Sequence, residues 1–332
     1  MHGVPGPADA TAGTLDDRLD RAMDPSLPPE HADKPTRRPP VGDAAGGSSG
    51  RAFHPTREVR MNLDDLFEKL HDMPTVPEVA HELLRQFDDP DTNIDELAHT
   101  IERDPVIAAK VLRLANSARF HGARDCTHVS DAALRLGFNM LRTLVLASAV
   151  TGVFRPGGSF DLKRFWRHSF EVASIGRLLA RQRGIDAEAA FTCGMMHNLG
   201  ELLIQTAAPE YAKMLQPTTS STAHAADETL QLGFGFPEVG AELARRWNLP
   251  RLIQDAIAYQ ARPMQAPAGS VMPLLVAQAV HIADALDACG GIGDEARQAA
   301  DGPLMAGVQL DAVFKLLPKA LEADSAFAEV LG

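Results

Sequence analysis

A histidine and an amide lie side by side in a strongly apolar stretch of this sequence. The stretch Phe191–Ile204 reads Phe-Thr-Cys-Gly-Met-Met-His-Asn-Leu-Gly-Glu-Leu-Leu-Ile, with His197 and Asn198 near its middle. Its apolar residues recur at three- and four-residue steps, which predicts a helix that buries one face. An unpaired buried polar group costs about 1–3 kcal/mol, so both side chains need partners. Those partners form either a metal site or a sealed, hydrogen-bonded core.

The charge and hydropathy of the chain argue against two classes of partner. The 332 residues include 44 acidic and 32 basic side chains, for a net charge of −12. Phosphate backbones and anionic lipids both require clustered Lys and Arg, which this balance disfavours. No apolar run approaches the roughly 20 residues of a membrane span, and the N-terminus has no hydrophobic signal region. We therefore expect neither a nucleic acid nor a membrane as a partner.

The three cysteines, Cys126, Cys193 and Cys289, are far apart and show no CxxC spacing. This pattern predicts three reduced thiols in a cytoplasmic protein, with a zinc or disulfide role as the minority alternative. Cys193 precedes His197 by about one helical turn. A redox or metal sensor built on that pair is a further alternative, and one Cys-His pair gives it little support.

Residues 1–58 have the composition of a disordered tail. They contain nine of the 23 prolines, the run Gly-Gly-Ser-Ser-Gly at 46–50, no isoleucine and no aromatic residue before Phe53. Such a segment cannot bury enough apolar surface to offset its conformational entropy. We expect these residues to be dispensable for folding.

Helix-forming segments follow one another over residues 63–154. Asn93 three residues before Glu96 is typical of a capping box, and Asp104 followed by Pro105 marks another helix start. Ser130 and Asn139 are the expected caps of two further helices, the second of which is nearly all apolar. The predicted helices of this part are Leu63–Leu70, Pro77–Phe87, Asn93–Arg103, one beginning at Pro105, and Met140–Phe154.

The segment Arg155–Ser159 breaks this pattern and is the expected boundary between two helical halves that still pack together. A long helix from Leu162 to Arg183 should end at Gly184, and Asp186 should cap the helix that carries His197. Residues 216–224, which include His224, predict a polar loop. Later helices are expected at about 226–232, 237–247, 251–260 and 273–288, with one or two more in 310–331 interrupted at Pro318. The sequence has no strand pattern, no Gly-rich phosphate loop and no internal repeat.

Five blocks of the sequence resemble one known family, the HD-related output domain or HDOD. The resemblance covers about residues 63–290 and implies an all-α, multi-helix bacterial signalling module. It is related to HD phosphohydrolases but is usually thought not to be catalytic. It implies an N-terminal helical half at 63–154, a degenerate HD-like half at 160–290 and a C-terminal helical extension at 291–332. The blocks are Ile101–Phe120, Ala133–Leu146, Gly194–Leu203, Pro237–Pro250 and Val280–Leu286.

The resemblance also implies which positions would form a metal site. Active HD phosphohydrolases use His and Asp to hold one or two divalent metals that activate water for attack on phosphorus. His168, His197 and Asp284 match such ligands, whereas Asn198 stands where the enzymes have an aspartate. A neutral amide supplies one weak carbonyl oxygen and no negative charge. Further histidines of the enzymes are replaced here by Phe236, Gln260 and Ala261.

Each of these matches also has a purely structural interpretation. His168 lies on an apolar stripe with Phe165 and Val172, which favours a core histidine. His197 can form a hydrogen bond to its neighbouring amide, and Asp284 can pair with either histidine. A residual site of two histidines and one carboxylate is the alternative. Surface, cap or turn roles are expected for His128, His281, Asn116 and Ser117.

Two classes of function remain from the sequence. The favoured one is a non-catalytic regulatory module that binds a signalling protein or a small ligand, with a homo-oligomer left open. It has no catalytic residue, no cofactor and no expected metal, and the four HD-site positions are vestigial. The alternative is a metal-dependent phosphohydrolase with a reduced ligand set, acting on a nucleotide or a cyclic dinucleotide. Asn198 discriminates between the two, because the lost charge weakens metal binding and water activation.

Overall fold

The fold is all-α, as predicted. The computed structural model describes residues 62–69, 78–89, 91–117, 120–154, 160–212 and 220–331, and no strand occurs within these ranges. The predicted tail at residues 1–58 and the boundary at 155–159 lie outside the described residues. Their predicted roles, and the division into two halves and an extension, remain predictions.

The first helices begin largely where local capping signals predicted. Asn93 Oδ1 accepts hydrogen bonds from the amides of Asp95 and Glu96, both at 3.0 Å. Asp104 caps the next helix in the same way, with Pro105 in its first turn. Such caps are worth about 1 kcal/mol each because they satisfy amides that have no partner within the helix. The helices are α1 (Leu63–Lys69), α2 (Glu78–Asp88), α3 (Ile94–Glu102), α4 (Pro105–Ala115) and α5 (Val129–Val153).

Helix α5 corrects one predicted cap. His128, rather than Ser130, precedes its first turn and makes no side-chain cap hydrogen bond. The helix is interrupted at Gly137, whose φ of 74° and ψ of 167° are not helical. Positive φ is inexpensive only for glycine, so the break falls at this residue. The predicted change from one helix to a second, strongly apolar one therefore occurs, two residues before the expected cap at Asn139.

The remaining helices begin with a long one, Leu162–Arg183, that packs against three others. Gly184 ends α6 in the left-handed conformation, and Asp186 caps α7, both as predicted. The chain continues through Pro318 in one helix, so the predicted interruption there is wrong. The helices are α6 (Leu162–Arg183), α7 (Ala187–Met196), α8 (Leu199–Ala207), α9 (Pro209–Ala212), α10 (Ser221–Leu232), α11 (Phe236–Arg246), α12 (Arg251–Tyr259), α13 (Met272–Cys289), α14 (Asp294–Ala300) and α15 (Leu310–Leu331).

A single hydrophobic core runs through these helices. Helix α6 packs against α7, α13 and α15, while α5 packs against α2, α3, α4 and α7. A hydrogen bond of 2.6 Å between the hydroxyl groups of Thr143 and Thr192 joins α5 to α7. Phe154 stacks on Trp247 with their ring centroids 5.8 Å apart. Each large apolar side chain in this core contributes about 1.5–3 kcal/mol by leaving water. Contacts on both sides of residues 155–159 therefore belong to the same core.

Two of the described helices are long and apolar enough to cross a membrane on length and composition alone. They are Val129–Gly152 and Met272–Cys289. In each helix, 67% of the most apolar 18-residue stretch is buried inside the protein. Core helices pass the same test, and this degree of burial is typical of them.

Candidate functional site

The predicted helix through His197 and Asn198 is in fact two helices. Helix α7 ends at Met196 and α8 begins at Leu199, and Asn198 has a φ of −110° and a ψ of 24°. The expectation that Phe191 through Leu203 share one helix face is therefore wrong. A tight backbone approach explains the new direction of α8. A Cβ atom on Gly200 would lie 1.9 Å from the carbonyl oxygen of Phe236, so only glycine lets α8 meet α11.

His197 is sealed in the core at this junction. Its side chain is 1% exposed, and Nδ1 lies 2.7 Å from the carbonyl oxygen of Gly194. Because a carbonyl only accepts, Nδ1 carries the proton and Nε2 keeps the lone pair of the neutral ring. Burial lowers the pKa of His197 to about 3, with His168 acting in the same direction. The amide of Gln260 donates to the His197 carbonyl oxygen at 2.5 Å, so this replacement residue has a structural role.

Asn198 is also satisfied by the protein. Ser169 Oγ lies 3.0 Å from Asn198 Oδ1, and its one hydrogen is shared between this oxygen and a second acceptor. The same hydroxyl lies 2.9 Å from the carbonyl oxygen of Phe165 on its own helix. The carbonyl oxygen of the amide, which is the atom best suited to bind a cation, is therefore already engaged. The predicted neighbour hydrogen bond between Asn198 and His197 is not among the contacts that hold either side chain.

His168 and Asp284 face each other without a hydrogen bond. His168 Nε2 lies 3.9 Å from Asp284 Oδ1, and the two imidazole rings of His168 and His197 are 5.7 Å apart. Ser221 holds both carboxylate oxygens, with its amide 2.7 Å from Oδ2 and its hydroxyl 2.8 Å from Oδ1. Burial lowers the pKa of His168 and raises the pKa of Asp284 to about 6. Both shifts favour the neutral forms of these two groups.

These four residues, hereafter the HD-like positions, do not form the donor set of a metal site. The oxygen atoms of Asn198 and Asp284 accept hydrogen bonds from Ser169 and Ser221, and the amide at 198 brings no charge. Within the described chain, one group of three His, Cys, Asp or Glu side chains has its donor atoms all within 4.8 Å of one another, and it lies elsewhere. The residues at the HD-like positions thus fit a hydrogen-bonded core better than a bound divalent metal. Their predicted lack of a metal remains a prediction.

The group that does converge is Glu201, His224 and Glu228. Sequence reasoning missed it because residues 216–224 were expected to form a loop. In the structure α10 starts at Ser221, three residues before His224, and Ser220 accepts from the amide of Ala223 at 3.3 Å. His224 and Glu228 are then four residues apart and share a helix face. The usable signal was the combination of a serine cap with a His-x-x-x-Glu spacing.

The other residues considered from the sequence have structural or surface positions. Cys193 is fully buried, and burial raises the pKa of its thiol to about 12, which opposes thiolate chemistry. His128 is an exposed residue at the start of α5, and His281 is half-buried. Asn116 bonds to both backbone groups of Cys126, and Ser117 bonds to the Leu114 carbonyl oxygen, in keeping with turn roles.

Comparison with known proteins assigns the fold to a family. The HDOD domain model matches residues 73–263. An uncharacterised protein from Treponema pallidum (strain Nichols) is 30% identical over 205 residues, which are 60% of this chain. The chain spans only 40% of the length of that relative.

Two solved structures are similar over most of this chain. One, from Shewanella amazonensis SB2B, is provisionally named a phosphohydrolase; it is 33% identical, with a TM-score of 0.67, over 80% of this chain and 98% of its own. The other is an HDOD domain protein of unknown function from Geobacter sulfurreducens. It is 25% identical, with a TM-score of 0.64, over 81% of this chain and 96% of its own.

Proposed function

The chain belongs to the HDOD family, and from that premise we propose that it is a non-catalytic regulatory module of bacterial signalling. It acts in the cytoplasm by binding a signalling protein or a small ligand. The family is a degenerate relative of the HD phosphohydrolases, so the question is whether this chain keeps the means to activate water on a metal.

One observation carries the proposal: the oxygen donors at the HD-like positions, Asn198 and Asp284, are held by hydrogen bonds within the protein. Asn198 replaces a charged ligand and accepts from Ser169, and Asp284 accepts twice from Ser221. A catalytic metal needs several protein ligands and an open position for water. A cation at these positions would share its oxygen ligands with three hydrogen bonds and would lack the carboxylate next to His197.

The rest of the HD-like surroundings supports the same function. Phe236 is buried. The Gln260 side-chain NH2 group donates hydrogen bonds to the backbone carbonyl oxygens of His197 and Ile257. Neither side chain is free to hold a second metal. What the arrangement does supply is a hydrogen-bonded junction in which Ser169 of α6 contacts Asn198 and Ser221 of α10 contacts Asp284 of α13.

The test is turnover by the purified full chain. Cyclic dinucleotides and a chromogenic phosphodiester are incubated with the protein in Mn²⁺, in Zn²⁺ and in EDTA. We expect no hydrolysis above background in any condition. Metal-dependent turnover that is lost in His197→Ala would favour the alternative, a phosphohydrolase with a reduced ligand set.

A further inference from the structure

We propose that Glu201, His224 and Glu228, hereafter the Glu–His–Glu cluster, bind one zinc ion that ties α10 to α8. The site is separate from the HD-like positions, and it places a metal in a chain whose sequence led us to expect none. It does not depend on the proposed function.

The first observation is convergence of three suitable donors from two helices. Glu201 extends from the first turn of α8, while His224 and Glu228 lie one turn apart on α10. One donor atom from each lies within 4.8 Å of the others. His224 Nε2 is 3.0 Å from Glu201 Oε2 and 3.5 Å from Glu228 Oε1. One imidazole and two carboxylates form a donor set that zinc accepts, with one position left for water.

The second observation is a buried carboxylate oxygen with no hydrogen bond. The side chain of Glu228 is 0% exposed. Its Oε2 accepts from the amide of Phe236 at 2.5 Å, whereas its Oε1 accepts no hydrogen bond from an N–H donor among the described residues. The carboxyl group's other hydrogen-bonding neighbour is the carboxyl group of Glu201. A buried oxygen of this kind costs free energy unless a cation or a proton meets it. Oε1 is also the atom that lies on the side of His224.

The surrounding charges favour a cation. Among the described ion pairs, His224 is the only basic partner of Glu201 or Glu228. Asp227 and Glu238 add negative charge nearby, although Glu238 is itself paired with Arg262. Two carboxylates this close repel each other when both are ionised. A divalent ion removes that repulsion and satisfies Oε1 at once.

The cluster is partly exposed to solvent, and neighbouring groups orient its two carboxylates. The side chains of His224 and Glu201 are 23% and 15% exposed, which leaves a path for the metal. Gln205 donates to Glu201 Oε1 at 2.7 Å and the Phe236 amide holds Glu228, so both carboxylates are oriented by neighbours. The competing arrangement is a proton held between the two carboxyl groups, with no metal.

The experiment is a zinc titration of the full chain after removal of metal with EDTA, followed by calorimetry and by the melting temperature. Wild type should bind one zinc per chain and melt at a higher temperature with zinc. Glu228→Gln and His224→Gln should each weaken zinc binding at least tenfold. The amide oxygen in Glu228→Gln still accepts from Phe236, so this variant should melt at no lower temperature than wild type without zinc.

His168→Gln and His281→Gln are the matched controls, since they remove histidines outside the cluster. Both should bind zinc as wild type does. No zinc binding by wild type, or unchanged binding by both cluster variants, would overturn the proposal and leave the shared proton. Zinc binding lost in His168→Gln but kept in the cluster variants would overturn it too, and would assign the metal to the HD-like positions.

Discussion

The HD-like positions and the Glu–His–Glu cluster are neighbours with opposite chemistry. In the first, the oxygen donors of Asn198 and Asp284 accept hydrogen bonds from Ser169 and Ser221, and burial keeps both histidines neutral. In the second, two carboxylates share one imidazole, and Glu228 Oε1 has no hydrogen-bond partner in the described part of the chain. Resemblance to a metal enzyme thus points to one place, whereas an unsatisfied carboxyl oxygen points to another, whose Glu201 follows Asn198 by three residues.

The largest expected effect comes from the contact on which both regions depend. Gly200 lies between Asn198 and Glu201, and a Cβ atom there would meet the Phe236 carbonyl oxygen at 1.9 Å. Gly200→Ala should lower the free energy of unfolding by about 3 kcal/mol or more, because backbone must move on both helices. Urea unfolding measures it. Gly152→Ala is the control, since nothing lies within 4 Å of that position, and it should be neutral or slightly stabilising. A stability loss equal in the two variants would contradict the role of the α8–α11 approach.

Introducing charge at the HD-like positions should be the next largest effect. Asn198→Asp places an ionisable group where its neighbour His197 is sealed from water, and where Ser169 is the donor that the described residues provide. We expect a loss of about 1–3 kcal/mol without metal, partly reversed by Mn²⁺ or Zn²⁺, and still no hydrolysis of phosphodiesters. Unfolding curves with and without metal measure this. The exposed Asn139→Asp should change stability by less than about 0.5 kcal/mol. New phosphodiesterase activity in Asn198→Asp would show that the charged ligand alone was missing.

The two regions should respond to pH in opposite directions, beginning with the HD-like positions in acid. Burial lowers the pKa of His197 to about 3 and also lowers that of His168. The unfolded chain therefore takes up protons below pH 6.5 that the folded chain refuses. The two histidines should make stability fall as the pH drops from 6.5, by about 1.4 kcal/mol per pH unit for each proton, and Asp284, whose pKa burial raises to about 6, partly offsets that fall. The free energy of unfolding of His197→Asn, measured with urea from pH 6.5 to 5, should depend less steeply on pH. The difference in slope should correspond to about one proton. An unchanged slope would contradict the buried neutral histidine.

In the Glu–His–Glu cluster without metal, stability should instead fall as the pH rises. Burial raises the pKa of Glu228 to about 10, with Glu201 acting in the same direction, and hydrogen bonding to Glu201 keeps the pKa of His224 above its usual value. The folded chain then retains protons that the unfolded chain has lost. From pH 7 to 9 we expect a loss of up to about 1.4 kcal/mol per pH unit, absent in Glu228→Gln. Saturating zinc should remove the same slope from wild type. A wild-type profile that is flat without metal would argue against a protonated Glu228.

The smallest expected effect is at the residue where the two regions meet. Ser221 opens α10 and donates to both oxygens of Asp284 on α13. Ser221→Ala removes the hydroxyl bond and keeps the amide bond, so we expect a loss of about 1 kcal/mol in thermal or urea unfolding. Ser221→Thr retains the hydroxyl and should lose less. Equal losses in the two variants would mean that the hydroxyl contributes nothing to this junction.

Most of the helices could be predicted because their signals are local. Asn93, Asp104 and Asp186 each cap a helix by binding amides two or three residues away, and Gly184 and Gly290 end helices through their own backbone conformation. Such interactions need no other part of the chain. Where the tertiary structure provides the interaction, the same reasoning fails, as it did for the start of α5 and for the helix that continues through Pro318.

The sequence by itself determined the all-α class, the family and the neutral amide at position 198. Only the tertiary structure decided where His197 and Asn198 separate two helices, because that break depends on Gly200 meeting α11, which begins 36 residues later. It also decided that α10 begins at Ser221, which Asp284 holds from a distance of 63 residues in sequence. With α10 starting there, His224 lies on a helix and meets Glu201 at 3.0 Å. Contacts between residues so far apart leave no local periodicity, so the Glu–His–Glu cluster emerged only when the chain was folded.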